Sequence, residues 1–359
     1  MPTRFDLDED ALAAILGSEP GYRARQLRRG LLEGREPTEL TDLPKALRAR
    51  LADEPALQPA LGLVHEAVAA DGETVKWLWE VGPGGPRIET VLMHYPDRTT
   101  VCVSSQAGCA MACSFCATGQ LGFERNLSSG EIVEQVVRAR SAAAAAGRRL
   151  GNVVFMGMGE PLANYGATWA AIERLHGDVG ISARHLTVST VGIVPGILRL
   201  AEERLPVNLA VSLHAANDAL RDSMVPVNRR YPLAALIGAC QAWVASRNRR
   251  LSFEWALIDG VNDRPTDATQ LAALARPLAA HVNLIPLNPT PGYLTRGTPP
   301  LGVRNFRDRL VAAGVNATVR RNRGTDIGAA CGQLAAVDLL VGPGDQAGQP
   351  PPAGAALTE

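Results

Sequence analysis

Long apolar runs are missing from this 359-residue sequence. No uninterrupted stretch approaches the length needed to span a bilayer, so no membrane-spanning helix is expected. The first 16 residues place Asp6, Asp8, Glu9 and Asp10 ahead of any apolar run, the wrong charge order for a secretory leader, and a cytoplasmic location is expected. An excess of charge is missing too: 36 Lys plus Arg against 36 Asp plus Glu gives a net charge of 0. A nucleic-acid partner would then need a local basic face, because no global field attracts it. Lysine is almost absent, with Lys45 and Lys76 the only two, which leaves 36 − 2 = 34 arginines. A GC-rich coding sequence explains that bias better than selection for phosphate binding, although arginine does offer phosphates a bidentate fork. Cysteine is scarce and unevenly placed: Cys102, Cys109, Cys113 and Cys116 crowd together while Cys240 and Cys331 stand apart. Clustered cysteines in a leaderless chain of this size point to metal or redox chemistry rather than a disulfide scaffold.

With 46% apolar and 20% charged residues the chain is globular, and its length suggests about two domains. Residues 1–57 alternate charged and apolar positions at helical spacing, with Tyr22, Leu27, Leu31 and Leu32 as core contacts and Pro20, Pro37 and Pro44 as breaks. They read as a small helical accessory domain. Its Arg23, Arg25, Arg28 and Arg29 are either a phosphate-binding patch or a solvated helix face. Residues 58–97 read as a β-rich connecting segment, with short strands around the turn at Gly82–Gly85. From 98 to 341, short β-branched runs alternate with Ala- and Leu-rich helical stretches. The runs are Thr100–Ser105, Asn152–Met156, His185–Ser189, Val207–Leu213, Leu251–Leu257 and Val282–Pro286, with a further strand at Val315–Val319. Such alternation means parallel strands covered by helices, an α/β fold built as an open doubly wound sheet or a whole or partial barrel. Either way the chemistry belongs at the carboxyl ends of the strands. Residues 342–359, rich in Gly, Pro, Gln and Ala, read as a disordered tail.

The array Cys109, Cys113, Cys116 has the spacing CxxxCxxC and follows the first strand of the repeat. A structural zinc site wants four protein ligands, and no second CxxC or His pair lies nearby. Cys102 could complete one, but it falls within a strand, where alternation sets its direction. A 4Fe-4S cluster on three cysteines leaves one iron open to a small molecule. The later run Gly157 Met158 Gly159 Glu160 Pro161 Leu162 offers a glycine for close backbone approach and a carboxylate that can accept from an ammonium, or it is only a tight turn. Cys331 lies in the glycine-rich stretch Gly324–Gly332, which argues for exposure and backbone freedom. A thiol there, near the start of a final helix, would have a lowered pKa. Cys240, inside the helical run Leu233–Ala245, reads as core.

CxxxCxxC with an aromatic residue, Phe115, before the last cysteine resembles the signature of radical S-adenosylmethionine (SAM) enzymes. Further motifs narrow the likeness: Cys102 to Gln106, Gly122 to Leu127, Gly157 to Leu162, Ser189 Thr190, Ser212 Leu213 His214, Pro286 to Pro289 and Arg323 to Gln333. In that order they resemble the dual-specificity adenine carbon-2 methyltransferases of 23S ribosomal RNA and transfer RNA, over all but the tail. The resemblance implies a partial (β/α) barrel of the radical SAM type with a small N-terminal helical domain. It implies a 4Fe-4S cluster on Cys109, Cys113 and Cys116, and SAM held by Gly159, Glu160, Ser189, Ser212, Leu213, His214 and Asn288. One SAM would methylate Cys331 and a second would give the 5′-deoxyadenosyl radical that activates that methyl, two per turnover. Adenine carbon 2 is electron-poor and cannot attack the methyl sulfonium itself, which is why a protein thiol carries the methyl. Glu89 would accept the proton and Cys102 would displace Cys331 through a transient disulfide. The implied targets are an adenosine of the peptidyl-transferase centre and one next to the transfer-RNA anticodon. A flavodoxin or ferredoxin system is the implied electron donor, and a monomer without membrane attachment is expected.

Outside these motifs, Arg229 with Arg230, Arg247 with Arg249 and Arg250, and Arg320 to Arg323 are local basic clusters; the last, beside the Cys331 stretch, is the candidate for RNA phosphates. Recognition would use shape and an extruded base, since no RNA-binding module is recognisable. Two alternatives stay open. One is carbon-8 methylation of the same ribosomal adenosine. The other is a non-catalytic RNA-binding protein with a structural zinc or iron-sulfur site.

Overall fold

A computed structural model of the chain describes residues 2–246, 250–290 and 292–335. The expected tail at 342–359 lies outside the described residues, as do Arg247 and Arg249.

Three helices open the chain: α1 (Glu9–Leu16), α2 (Tyr22–Leu32) and α3 (Lys45–Ala52). Asp8 begins α1 by accepting the Ala11 N–H, an N-cap that satisfies one of the free donors of the first turn. Leu12 and Leu16 of α1, Leu27 and Leu31 of α2, and Leu47 and Leu51 of α3 recur at helical spacing and are buried in one core. Tyr22 is not a core residue as expected but 47% exposed. It sits about 200° round the helix from the buried Ala24, on the opposite face. Nor do the four arginines of α2 form a free patch. Arg23 donates to Gln26 and to the Asp42 carbonyl, Arg28 pairs with Asp178, and Arg29 pairs with Asp42, leaving Arg25 exposed.

Next come β1 (Leu61–Val68), β2 (Thr74–Val81) and β3 (Arg87–His94), an antiparallel meander. β3 pairs in turn with β4 (Thr99–Cys102), so residues 58–97 are built into the main sheet and Val91 lies opposite Cys102. A small hairpin, β5 (Gln106–Gly108) with β6 (Phe123–Asn126), brackets helix α4 (Ala117–Leu121).

The repeat then runs α5 (Ser129–Ala145), β7 (Leu150–Phe155), α6 (Tyr165–Gly177), β8 (Leu186–Thr190), α7 (Val194–Glu202) and β9 (Asn208–Ser212). It continues with α8 (Asp218–Met224), α9 (Leu233–Ala245), β10 (Leu251–Leu257), α10 (Pro265–Ala275), β11 (His281–Pro286), α11 (Pro300–Ala312) and β12 (Ala317–Val319).

Among the described residues these strands make a ten-stranded sheet in the order β1-β2-β3-β4-β7-β8-β9-β10-β11-β12, parallel from β4 onward. β1 and β12 are its edges, so the barrel is partial. Interior strands such as Thr99 to Cys102 are buried on both faces, which is why they read as β-branched and apolar runs rather than as alternation. β4 stops at Cys102, short of the expected Ser105, because the ladder is replaced there by other bonds. Ser104 N–H donates to the Gln135 side chain and Ser105 N–H to the Met158 carbonyl. Cys240 is fully buried on α9, as its helical context suggests.

Candidate active site

The carboxyl ends of β7 to β12 surround a cavity of about 160 Å3. Cys109, Cys113 and Cys116 line one side of it and Cys331 another. The cysteine loop is pinned where it enters. Gly108 stands at φ +69°, and a Cβ there would fall 2.0 Å from the Gly122 carbonyl oxygen, the same oxygen that accepts from Cys109 N–H at 2.6 Å. Only glycine permits that approach. Cys109 and Cys113 are buried, and Cys116 partly so. Burial pushes the Cys109 thiol up to about 12, and pushes Cys113 and Cys116 up as well, so all three shed a proton when they ligate a metal.

Across from the thiols, the turn after β7 holds Glu160. Gly159 adopts φ +98°, and an added Cβ would meet Gln106 Cβ at 2.5 Å, so the turn lies flat on Gln106. The Gln106 side-chain oxygen fixes it by accepting from Glu160 N–H at 2.8 Å. Glu160 is 2% exposed and its carboxylate accepts from Val191 N–H at 2.9 Å and Leu162 N–H at 3.0 Å. Burial nevertheless raises it to about 7, against the lowering by Val191, Thr190 and Leu162. A buried carboxylate that is poorly compensated and faces a cavity is complementary to a cationic ligand group.

Ser189, Ser212, His214 and Asn288 reach the cavity from β8, β9 and β11; Leu213 does not. It is fully buried in the core, because alternation along the end of β9 turns it away from its neighbours. His214 is both lining and satisfied. Its Nδ1 accepts from Ala256 N–H at 3.0 Å and burial lowers its pKa to about 3, so the neutral ring carries its proton on Nε2. Asn288 lines the cavity but also donates to the Cys331 carbonyl at 3.1 Å, a positioning contact that the sequence did not suggest.

The Cys331 segment closes the open side. Thr118 Oγ1 donates to the Leu334 carbonyl at 2.6 Å and Ala117 N–H to the Gly332 carbonyl at 2.8 Å, tying it to α4. The final helix expected after Cys331 lies outside the described residues, which end at residue 335. Arg320, at the end of β12, lines the same cavity, and its guanidinium is pushed up chiefly by the Cys331 sulfur, then by Glu254. Within the basic run, Arg320 therefore serves the cavity, and Arg323 stacks over the Tyr95 ring at 4.5 Å. Cys102 and Glu89 stand behind the cavity rather than on its wall. Burial, and then the charge of Cys331, pushes the Cys102 thiol up to about 12. Cys102 and Cys331 are both free thiols, so no disulfide joins them here. Glu89 is 1% exposed and paired with Lys76, not a surface carboxylate.

Comparison with known proteins agrees with this geometry. The Radical SAM superfamily profile matches residues 103–271. A Chloroflexus aurantiacus protein named "Probable dual-specificity RNA methyltransferase RlmN" is 51% identical, over 92% of each chain. An Anaeromyxobacter protein named "Dual-specificity RNA methyltransferase RlmN" is 49% identical, over 96% of this chain and 91% of its own. The crystal structure of a radical SAM methyltransferase from Sphaerobacter thermophilus superposes with a TM-score of 0.89 at 51% identity, covering 94% of this chain and all of that one. The chain belongs to the dual-specificity RNA methyltransferase family of the radical SAM superfamily.

That family implies a 4Fe-4S cluster and SAM, and the residues fit both. Among the described residues no three His, Cys, Asp or Glu side chains converge tightly enough to hold a single metal ion. A zinc ion needs each ligand about 2.0–2.3 Å from one centre. A 4Fe-4S cluster takes one thiolate per iron, so three cysteines on one loop can hold it and leave the fourth iron open. Glu160, a buried carboxylate on the cavity wall, has the charge and position to hold an ammonium such as that of SAM. Replacing it by Gln is expected to weaken SAM binding by about 10- to 100-fold, the range for a hydrogen bond to a charged group. The sign with pH follows from the raised Glu160: its ionised form, the one that binds an ammonium, is lost as pH falls through about 7. SAM affinity of the wild type, measured by calorimetry, should fall toward acid by up to about tenfold per pH unit, and Glu160→Gln should flatten that limb. An unchanged acid limb in the variant would remove Glu160 from the ligand site.

Proposed function

We propose that this chain transfers a methyl group from SAM to carbon 2 of adenosine in 23S ribosomal RNA and transfer RNA, using Cys331 as the methyl carrier and two SAM per turnover. One observation carries the reading: the three cysteines of the CxxxCxxC loop, the cation-seeking Glu160 and a separate thiol, Cys331, face one cavity. A purely structural metal site gives no reason for the fourth thiol.

In this reading Cys109, Cys113 and Cys116 hold the cluster, which when bound supplies the electron that cleaves SAM reductively. Glu160, Ser189, Ser212 and His214 hold SAM through its polar groups, with Gly159 allowing close approach and Leu213 acting only as the packed spacer between two lining residues. Cys331 is the nucleophile that takes the methyl, and the Arg320 guanidinium lines the cavity beside it. Asn288 positions the backbone of Cys331. Glu89 accepts the adenine proton. Cys102, buried and protonated at rest, then displaces Cys331 from the base as a transient disulfide. Residues 1–57 act as an accessory RNA-contact domain with Arg25 and Tyr22 at its surface, and residues 98–341 hold the catalytic core. The protein works in the cytoplasm as a monomer, and a flavodoxin or ferredoxin system delivers the electron. Among the described residues no helix is long and apolar enough to cross a membrane.

The test is an anaerobic incubation of cluster-loaded protein with SAM, reductant, and unmodified 23S ribosomal RNA fragment or transfer RNA, with nucleosides identified by mass spectrometry. Formation of 2-methyladenosine supports the reading, and the yield on each RNA ranks the substrates. Formation of 8-methyladenosine keeps the radical chemistry and overturns the regiochemistry. Neither product, from a protein that cleaves SAM, overturns RNA methylation at adenine.

A further inference from the structure

Glu89 is a proposed catalytic group that the cavity does not reach, and its surroundings show why. Its carboxylate forms an ion pair with Lys76 at 2.8 Å, the two side chains being 1% and 5% exposed. Each partner also holds the segment that carries Cys331. Lys76 Nζ donates to the Gly328 carbonyl at 3.4 Å, and Ala335 N–H donates to Glu89 Oε2 at 3.0 Å. Ahead of these contacts in the chain the segment rests on β2 and the turn before it. A Cβ on Gly324 would come 2.9 Å from Thr74 Cγ2, and Ala70 N–H donates to Asp326 Oδ2 at 2.9 Å.

A buried ion pair is weak support for stability by itself, because desolvation offsets most of the attraction. This one couples two strands of the N-terminal meander to a loop about 250 residues later in the chain. With the segment docked, Glu89 faces Lys76 and the loop backbone and not the cavity where adenine would enter.

We propose that Lys76 is a positioning residue for the reaction: with Glu89 it latches the Cys331 segment onto β2 and β3, and loss of the Glu89 charge releases it. The second clause rests on the reading of Glu89 as the proton acceptor. A protonated carboxyl at 89 keeps its place but gives up the Coulomb attraction that holds Lys76. Glu89→Gln reproduces that neutral state. Release at that moment would free Cys331 to meet Cys102, so proton uptake and resolution of the intermediate become one event.

The experiment is amide hydrogen exchange by mass spectrometry on full-length, cluster-loaded protein without RNA, following residues 324–335. Lys76→Met and Glu89→Gln are each expected to speed exchange there by about tenfold or more, the effect of losing a hydrogen bond to a charged group, with β7 to β11 unchanged. The double variant Lys76→Met/Glu89→Leu replaces the pair with apolar groups. It should regain the thermal midpoint lost in the single variants while the segment still exchanges fast. Unchanged exchange in either single variant overturns the latch. So does a double variant in which protection of 324–335 returns along with the midpoint, because the segment would then follow general stability. If the single variants do not fold, the double variant decides alone. Exchange needs neither RNA nor turnover, so failure of the latch and failure of the methylation reading are observed separately.

Discussion

Cys331→Ala is expected to leave no detectable methylated adenosine while cluster content and SAM binding persist. Cys331 is not one of the three cluster thiols, and its segment is held through backbone atoms by Asn288, Thr118 and Ala117, contacts that an alanine keeps. No other thiol can take its place. Cys102 does not line the cavity, and with its pKa pushed up to about 12 it holds little thiolate near neutrality. Cys240 is fully buried on α9. The companion variant Cys102→Ala separates formation of the intermediate from its resolution. It should accumulate protein covalently joined to RNA, visible as a slowed band on a denaturing gel and absent from Cys331→Ala. Methylation by Cys331→Ala would remove the carrier role, and normal turnover by Cys102→Ala would remove the resolving one.

Arg221→Leu is expected to be the most destabilising single substitution at the site, by about 3–5 kcal/mol, the range for breaking a buried charged network. Arg221 is 0% exposed. Its guanidinium donates to the carbonyls of Leu213 at 3.0 Å, Ser212 at 3.2 Å and Val191 at 2.5 Å, and to Asn228 Oδ1 at 2.8 Å. The three carbonyls sit at the carboxyl ends of β8 and β9, so one side chain ties together the two strands that deliver Ser189 and Ser212. Burial lowers its pKa to about 10, and the charge survives because four acceptors replace water. Leucine fills part of the volume and removes all four guanidinium contacts, although the Leu213 carbonyl still accepts from Ala215 N–H. Urea unfolding should show the lost stability, and SAM binding should weaken as the strand ends loosen. A loss below about 1 kcal/mol would mean that the carbonyls find other donors.

Much of the site was legible because its chemistry is local. CxxxCxxC brings three sulfurs onto one loop whatever surrounds it, and Gly159 Glu160 is a self-contained turn. The β-branched runs located the parallel strands to within a few residues, since burial on both faces leaves a dense apolar signature. Strand ends were less legible. Thr100–Ser105 was expected as a strand, but Ser104 and Ser105 give their N–H groups to Gln135 and Met158, partners that a run of β-branched residues cannot announce. The arginines of α2 misled for a related reason. A helix face of four cations looks free until the chain returns to place Asp42 and Asp178 against it.

Taken by itself, the sequence determined the α/β class, the family and the three-cysteine loop, because each depends on residue type and short-range spacing. The tertiary structure decided which charged groups are partners. Lys76 is one of two lysines in an arginine-rich chain and reads as an ordinary strand residue, yet it is buried against Glu89 and the Gly328 carbonyl. Arg320 read as one of a run of candidate phosphate contacts, and only the packing shows that it lines the cavity beside Cys331. Spacing along a strand or helix fixes which face of its own element a side chain occupies. What stands opposite that face is set by how elements far apart in sequence pack, and burial there determines whether a charge is satisfied, shifted or held in reserve for the reaction.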